Sequence, residues 1–363
     1  MRRMMLESPI LLGFEHRVKY PTQNVPTEAT YPDNDEYVII GRTINSHPER
    51  PAKLYKAALY RHILISGTTG SGKSYTASLI AKRVAEKLSI PVIIVDWQGE
   101  YSKLLDDYEV INPFETPLEL FTGDPSDLSI ISSVLELTSP QEYLLEKVIR
   151  KVDISKMKSI ETFIDYLESY PEESSWMRET KLSLHRKLSI LARYGYDQLF
   201  KLYKNSGKNL QLVDKHTGKP FIVNVSRILD LSVRKLYSAF YIKKVVDSAV
   251  GLSLPLLILI EEAQNFLSKN QLVKPICDML REVRKFQVGL VVISQSISQI
   301  SEDVLVNTNT KIVHAVKSKI DLDILEKSLY LDENTVSVIP YLEPGEAVYS
   351  TPTLKKAVLI KVE

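Results

Sequence analysis

His62-Ile63-Leu64-Ile65-Ser66 leads without a break into Gly67-Thr68-Thr69-Gly70-Ser71-Gly72-Lys73-Ser74. The first five residues form a mostly apolar run that stops at a glycine loop. Beyond the loop, Ala77, Ile80, Ala81, Val84 and Leu88 recur at helical spacing, so one face of the next element is apolar. The stretch therefore reads strand, loop, helix, and it fits G-x-x-x-x-G-K-[ST]. The glycines let the backbone curl so that several N–H groups point inward, and the helix start adds its positive end. Such a cradle takes phosphates. Lys73 is placed to reach the β- and γ-phosphates of a nucleotide, and the Ser74 hydroxyl to hold Mg²⁺. Gly67, Thr68, Thr69, Gly70, Ser71, Gly72, Lys73, Ser74 and the adjoining Tyr75 are thus the expected binding residues for ATP with Mg²⁺.

An unbroken apolar run follows at Pro91–Val95, and similar runs recur at Phe221–Val225, Leu256–Ile260, Val288–Ile293 and Ile312–Val316. Runs of this kind suit strands buried on both faces, and helical patterns separate most of them. The expected fold is α/β, with a mostly parallel sheet and helices on both sides. Residues about 126–205 interrupt the rhythm with helix formers, as in Gln141–Val152 and Lys181–Arg193, and read as a helical insertion. Residues 1–55 are rich in Pro, Asn and Thr, with a β-like run at Tyr37–Ile40, and read as a small β-rich module. Residues 56–363 form the expected core.

Composition excludes less than the motifs do. The net charge is +1 over 363 residues, which argues neither for nor against nucleic acid, since a local basic surface hides easily in a neutral total. Cys277 is the only cysteine, so no intrachain disulfide forms, which fits a reducing compartment. No signal peptide is evident, and no stretch approaches the ~20 apolar residues needed to cross a bilayer. A cytoplasmic protein without membrane contact is expected.

A phosphate loop of this kind needs a carboxylate at the end of a neighbouring strand. Leu256–Ile260 ends in Glu261-Glu262. Glu261 is expected to hold Mg²⁺ through water, and Glu262 to polarise the attacking water as general base. Asp96, followed by Gly99 and Glu100, is read equally as part of the site or as a turn. Gln295 ends the Val288–Ile293 run, where an amide is able to touch the γ-phosphate or the water. Arg281 and Arg284 share a helix face with Lys285 nearby. Either arginine could serve a neighbouring subunit's nucleotide, or simply pair with Glu282 and Asp278.

Five blocks then stand in a fixed order: G-T-T-G-S-G-K-S; V-D-W-Q-G-E-Y-S (Val95 to Ser102); L-I-E-E-A-Q-N-F (Leu259 to Phe266); V-R-K-F-Q-V-G-L-V-V-I-S-Q (Val283 to Gln295); and P-G-E-A-V (Pro344 to Val348). In this order they resemble the HerA branch of the HerA/FtsK ATPases, from about Gly41 to the C-terminus. The resemblance implies a RecA-like P-loop NTPase core, assembled as a homo-hexamer that hydrolyses ATP to translocate double-stranded DNA. It also implies a NurA-like nuclease as partner in DNA-end processing. Residue by residue, it implies Lys73 and Ser74 at the phosphates and metal, Glu262 as catalytic base, Gln295 as sensor and Arg284 as the arginine acting in trans.

The chain departs from the family pattern in several places. It has Glu261 where Asp is usual, Gln264 where His is usual, and Trp97-Gln98 where Pro-His is common. The roughly 55 residues ahead of the core are fewer than the family's N-terminal barrel, which docks the nuclease. Lys103, Lys269, Lys274 and Lys311 are candidate channel contacts, each equally readable as a surface lysine. The alternative function is an ATP-dependent switch or scaffold acting through a partner protein. A kinase would need an acceptor site and a basic lid, and neither is identifiable.

Overall fold

The computed structural model describes residues 20–23, 36–153, 157, 159–172, 174–202 and 221–363. Most of the expected N-terminal module, and residues 203–220 beside the helical insertion, lie outside them.

Thirteen strands occur among the described residues: β1 (Tyr37–Thr43), β2 (Pro51–Tyr55), β3 (Ile63–Ser66), β4 (Val92–Asp96), β5 (Glu109–Ile111), β6 (Leu118–Glu119), β7 (Phe200–Lys201), β8 (Phe221–Asn224), β9 (Leu256–Ile260), β10 (Val288–Ser294), β11 (Thr310–Val313), β12 (Glu346–Ser350) and β13 (Val358–Val362). Eleven form one sheet in the order β2-β1-β13-β12-β11-β3-β10-β9-β4-β8-β5. From β11 to β5 every pairing is parallel, and from β11 to β2 every pairing is antiparallel.

The apolar runs are continuous because both faces of the sheet are covered. Side chains alternate between the faces along each strand. Ile93, Val95, Ile258, Ile260, Leu290 and Val292 enter one core, with the helix Leu231–Leu252. Ile94, Leu257, Leu259, Val291 and Ile293 enter the other, with the helix Lys73–Leu88. A strand buried on both faces has no position left for a polar residue until its end, and the site residues sit at those ends.

The helical insertion comprises helices Pro125–Val134, Ser139–Lys151, Ile160–Ser169 and Ser175–Leu188. It leaves and rejoins the core through a separate parallel pair, β6 with β7. Lys243, buried on the helix Leu231–Leu252, ties it down with ion pairs to Asp124 at 2.9 Å and Asp127 at 3.5 Å. The two strands described in residues 1–55, β1 and β2, continue the main sheet through β13. No helix among the described residues is long and apolar enough to cross a membrane.

Candidate nucleotide site

Because β3, β4, β9 and β10 are parallel, their C-terminal ends open on one edge of the sheet. A cleft of about 360 Å³ lies there, lined by the phosphate loop, Gln98, Glu100, Glu261, Glu262 and Gln295 among others. Tyr75 also lines it. Lys73 is the single cation lining it among the described residues.

The loop conformation is one that only glycine adopts easily. Gly72 has φ 106°, and a Cβ there would lie 2.8 Å from the backbone N of Gly345. The C-terminal strands thus press directly on the loop. Gly345 N–H donates to the Ser71 carbonyl at 3.1 Å, and Thr68 N–H to the Ala315 carbonyl at 2.8 Å. His314, fully buried under the loop, completes the clamp. Its Nδ1–H donates to the Glu346 carbonyl at 2.9 Å, which leaves Nε2 to accept from the Thr76 hydroxyl at 2.9 Å. The sequence marked this region only as the end of an apolar run and the P-G-E-A-V block.

Lys73 Nζ donates to the Thr68 carbonyl at 3.0 Å. Desolvation lowers its pKa, opposed by Glu262, Glu261 and Glu100. The Ser74 hydroxyl donates to Glu100 at 3.1 Å.

Asp96, wholly buried at the end of β4, accepts N–H bonds from Gly99 at 2.7 Å, Glu100 at 3.2 Å and Tyr101 at 3.1 Å. It therefore builds the turn that carries Gln98 and Glu100 into the cleft. Glu261 Oε2 accepts the backbone N–H groups of Trp97 at 2.8 Å and Gln98 at 3.0 Å. Burial, then the Asp96 charge, pushes the Glu261 pKa up to about 8. Burial raises the Asp96 pKa as well, opposed by the three N–H groups that face it.

Glu262 has φ 49°, a left-handed conformation that costs a non-glycine residue about 1–2 kcal/mol. It turns the side chain back into the cleft, where three amides meet it. Gln98 Nε2 donates to Oε1 at 2.5 Å, Gln295 Nε2 donates to the same oxygen at 2.6 Å, and Gln264 Nε2 donates to Oε2. Gln295 Oε1 accepts from the Thr69 hydroxyl of the phosphate loop at 3.2 Å. Gln98 and Gln264 stood out in the sequence only as departures from a family pattern.

Arg284 is not in this cleft. It lies exposed just before β10, and the seven residues of β10, at ~3.3 Å each, put it about 20 Å from the edge that carries Gln295. Arg281 is engaged by Asp278 at 3.6 Å and by Asp303. Lys103, Lys269 and Lys274 are exposed. Lys311 is corrected by the structure: it is buried on β11 and donates to the Thr308 carbonyl at 2.7 Å, so it contacts no channel.

Two histidines report on the sheet around the site. Burial lowers the pKa of both His314 and His62 from 6.5 to about 4; the charge of Lys73 adds to this for His314 and that of Arg284 for His62. Each stays neutral in the folded protein while the unfolded chain takes a proton. Its contribution to stability is full above pH 6.5 and lost as pH falls toward 4, on the order of 1 kcal/mol per site at pH 5.5. Glu261 works in the opposite sense: its contribution is present below pH 4.5 and lost as pH rises through about 8. Ring-proton NMR is expected to show two of the six histidines silent between pH 8 and 5. Titration of His62 or His314 near pH 6.5 would show that the buried imidazoles are accessible to protons.

Comparison with known proteins follows the same geometry. Residues 38–245 match the family described as "Helicase HerA, central domain". The DNA double-strand break repair helicase HerA of Saccharolobus solfataricus is 28% identical over 352 residues, covering 91% of this chain and 69% of that protein. The namesake of Pyrococcus furiosus is 23% identical, covering 83% and 65%. Among solved structures, VirB4 of Thermoanaerobacter pseudethanolicus superposes with a TM-score of 0.70 at 17% identity, over 92% of this chain and 98% of that one. The plasmid coupling protein TrwB, solved with the ATP analogue ADPNP, gives 0.67 at 16% identity, over 95% and 96%. These two establish likeness of fold, a RecA-like P-loop core. The family match spans more than half of the chain, which is therefore a P-loop ATPase belonging to the HerA helicase central-domain family.

Proposed function

We propose that the chain is an ATP-driven motor on double-stranded DNA, working as a hexameric ring that hydrolyses each ATP between two subunits. In this reading Lys73 and the loop amides of Gly67–Ser74 hold the phosphates. A Mg²⁺ bound there would supply charge neutralisation for the phosphates. The donor set fits it: Ser74 offers a hydroxyl beside the Glu100 carboxylate, and Glu261, with one oxygen taken by two amides, would act through water. Glu262 orients the water in line with the γ-phosphate. Gln295 senses the loss of that phosphate and passes it to β10. Arg284 of the next subunit steadies the transition-state charge.

The observation that carries the reading is the run of hydrogen bonds from Thr69 through Gln295 to Glu262. It joins the phosphate loop, the strand end and the base in one relay, as coupling of hydrolysis to movement requires. A second observation supports the ring. Lys73 is the only cation lining the cleft among the described residues, while Arg284 sits on the opposite edge of the sheet. This arrangement fits a second cation for the transition state supplied by another copy. The double-strand break repair helicases to which the chain is similar support DNA as the track.

The test is steady-state ATP hydrolysis with and without linear double-stranded DNA, at about 50 and 200 mM salt. Several-fold stimulation at the lower salt, largely lost at the higher, is expected, because phosphate contacts release counterions. Hydrolysis indifferent to DNA at both would replace the motor with the ATP-dependent switch.

A further inference from the structure

We propose that Gln98 is a positioning residue for the catalytic base, gripping Glu261 with its backbone and Glu262 with its side chain. The proposal rests on the reading of Glu262 as base and extends it. Three observations lead to it. Gln98 N–H donates to Glu261 Oε2 at 3.0 Å, while its side-chain Nε2 donates to Glu262 Oε1 at 2.5 Å. One residue at the end of β4 thus fixes the relative placement of two carboxylates at the end of β9. Next, Glu262 stands in a left-handed conformation that its own backbone does not favour, so its orientation depends on what holds the carboxylate.

The third observation separates Gln98 from the other amides. Gln295 shares its amide between Glu262 and Thr69 of the phosphate loop, so phosphates entering the loop compete for it. Gln264 is shared with the Ser294 hydroxyl on the strand that carries Gln295. The Gln98 side chain is anchored in the Asp96 turn and bonds to Glu262 alone among the described contacts. Its grip therefore persists when nucleotide arrives, and the carboxylate keeps its aim while Gln295 moves. Two donors on Oε1 also leave Oε2, with its single donor, as the oxygen better placed to take the proton of the attacking water.

Gln98 is exposed, so truncating it removes the grip with little effect on the core. Gln98→Ala is expected to lower kcat by about 10- to 100-fold, since small misplacements of a catalytic group cost that much. KM and the affinity for a non-hydrolysable ATP analogue stay within about twofold, because no phosphate contact is lost. Gln98→His keeps an N–H donor and recovers most of the turnover, whereas Gln98→Glu sets a third carboxylate against the pair and loses as much as Ala or more. Unchanged kcat in Gln98→Ala, or analogue affinity falling in step with kcat, overturns the proposal. Glu262→Gln measured alongside separates the failures. If it hydrolyses normally, the base reading itself is wrong; if it is inactive while Gln98→Ala is normal, only the role of Gln98 is lost.

Discussion

Glu262→Gln is expected to bind ATP with near-native affinity and to hydrolyse it about 10²- to 10⁴-fold more slowly, the range that a positioned general base contributes. The substitution keeps the shape and the hydrogen-bonding length of the side chain. It removes only the negative charge that draws a proton from water. Binding is spared because the phosphates are met by the loop and Lys73, on the other wall of the cleft. The fold is spared as well: Gln takes the left-handed backbone at the same cost as Glu, and the three facing amides are able to rotate to offer a carbonyl. Single-turnover hydrolysis beside equilibrium binding of a fluorescent ATP analogue separates the two effects. Near-normal turnover would remove Glu262 from the chemistry and leave its strained conformation without a functional reason.

Lys73→Ala is expected to lose both functions. A charge-assisted bond to phosphate contributes about 1.5–3 kcal/mol, so affinity falls roughly 10- to 100-fold. Turnover falls further, because the same ammonium faces the charge that moves in the transition state. Stability is expected to hold. Desolvation holds the Lys73 pKa below its usual value despite three carboxylates nearby, so the buried ammonium is no net asset to the empty fold. A thermal midpoint unchanged within a few degrees, with analogue binding lost, is the expected pair of results. The same protein tests the subunit arrangement. Arg284→Ala keeps an intact cleft but lacks the arginine; Lys73→Ala keeps the arginine but has a dead cleft. Mixing the two inactive proteins is expected to restore turnover if Arg284 acts across the interface. Mixtures as inactive as the parents would take Arg284 out of the mechanism.

The apolar runs at 91–95, 221–225, 256–260, 288–293 and 312–316 each contain or overlap a strand, and Leu256–Ile260 coincides with β9. They were legible because burial on both faces leaves no alternation to blur, and because each run stops where polar residues begin. The C-terminal antiparallel strands were not legible. β12 and β13 are as long as β9, but their place beside β11 follows from where the chain turns after residue 313. β5 carries exposed side chains at the sheet edge and gave no apolar signal. In the helical insertion the segments were readable from helix formers. Their attachment through β6 and β7 was not, since a two-residue strand carries no period.

By itself the sequence determined the phosphate loop, the acidic pair at a strand end and the alternation of strands with helices. Each is a local matter, set by glycine's freedom at positive φ and by the burial of contiguous apolar residues. Tertiary structure alone decided which strand ends become neighbours. Gln98 and Glu262 are 164 positions apart, and His314 and Thr76 are 238 apart, yet each pair is in hydrogen-bonding contact. No local pattern encodes such a meeting. It arises because parallel strands bring every C-terminal end to the same edge, and because strand order then sets β4 and β10 on either side of β9. The amide cage around Glu262 and the clamp beneath the phosphate loop are consequences of that order.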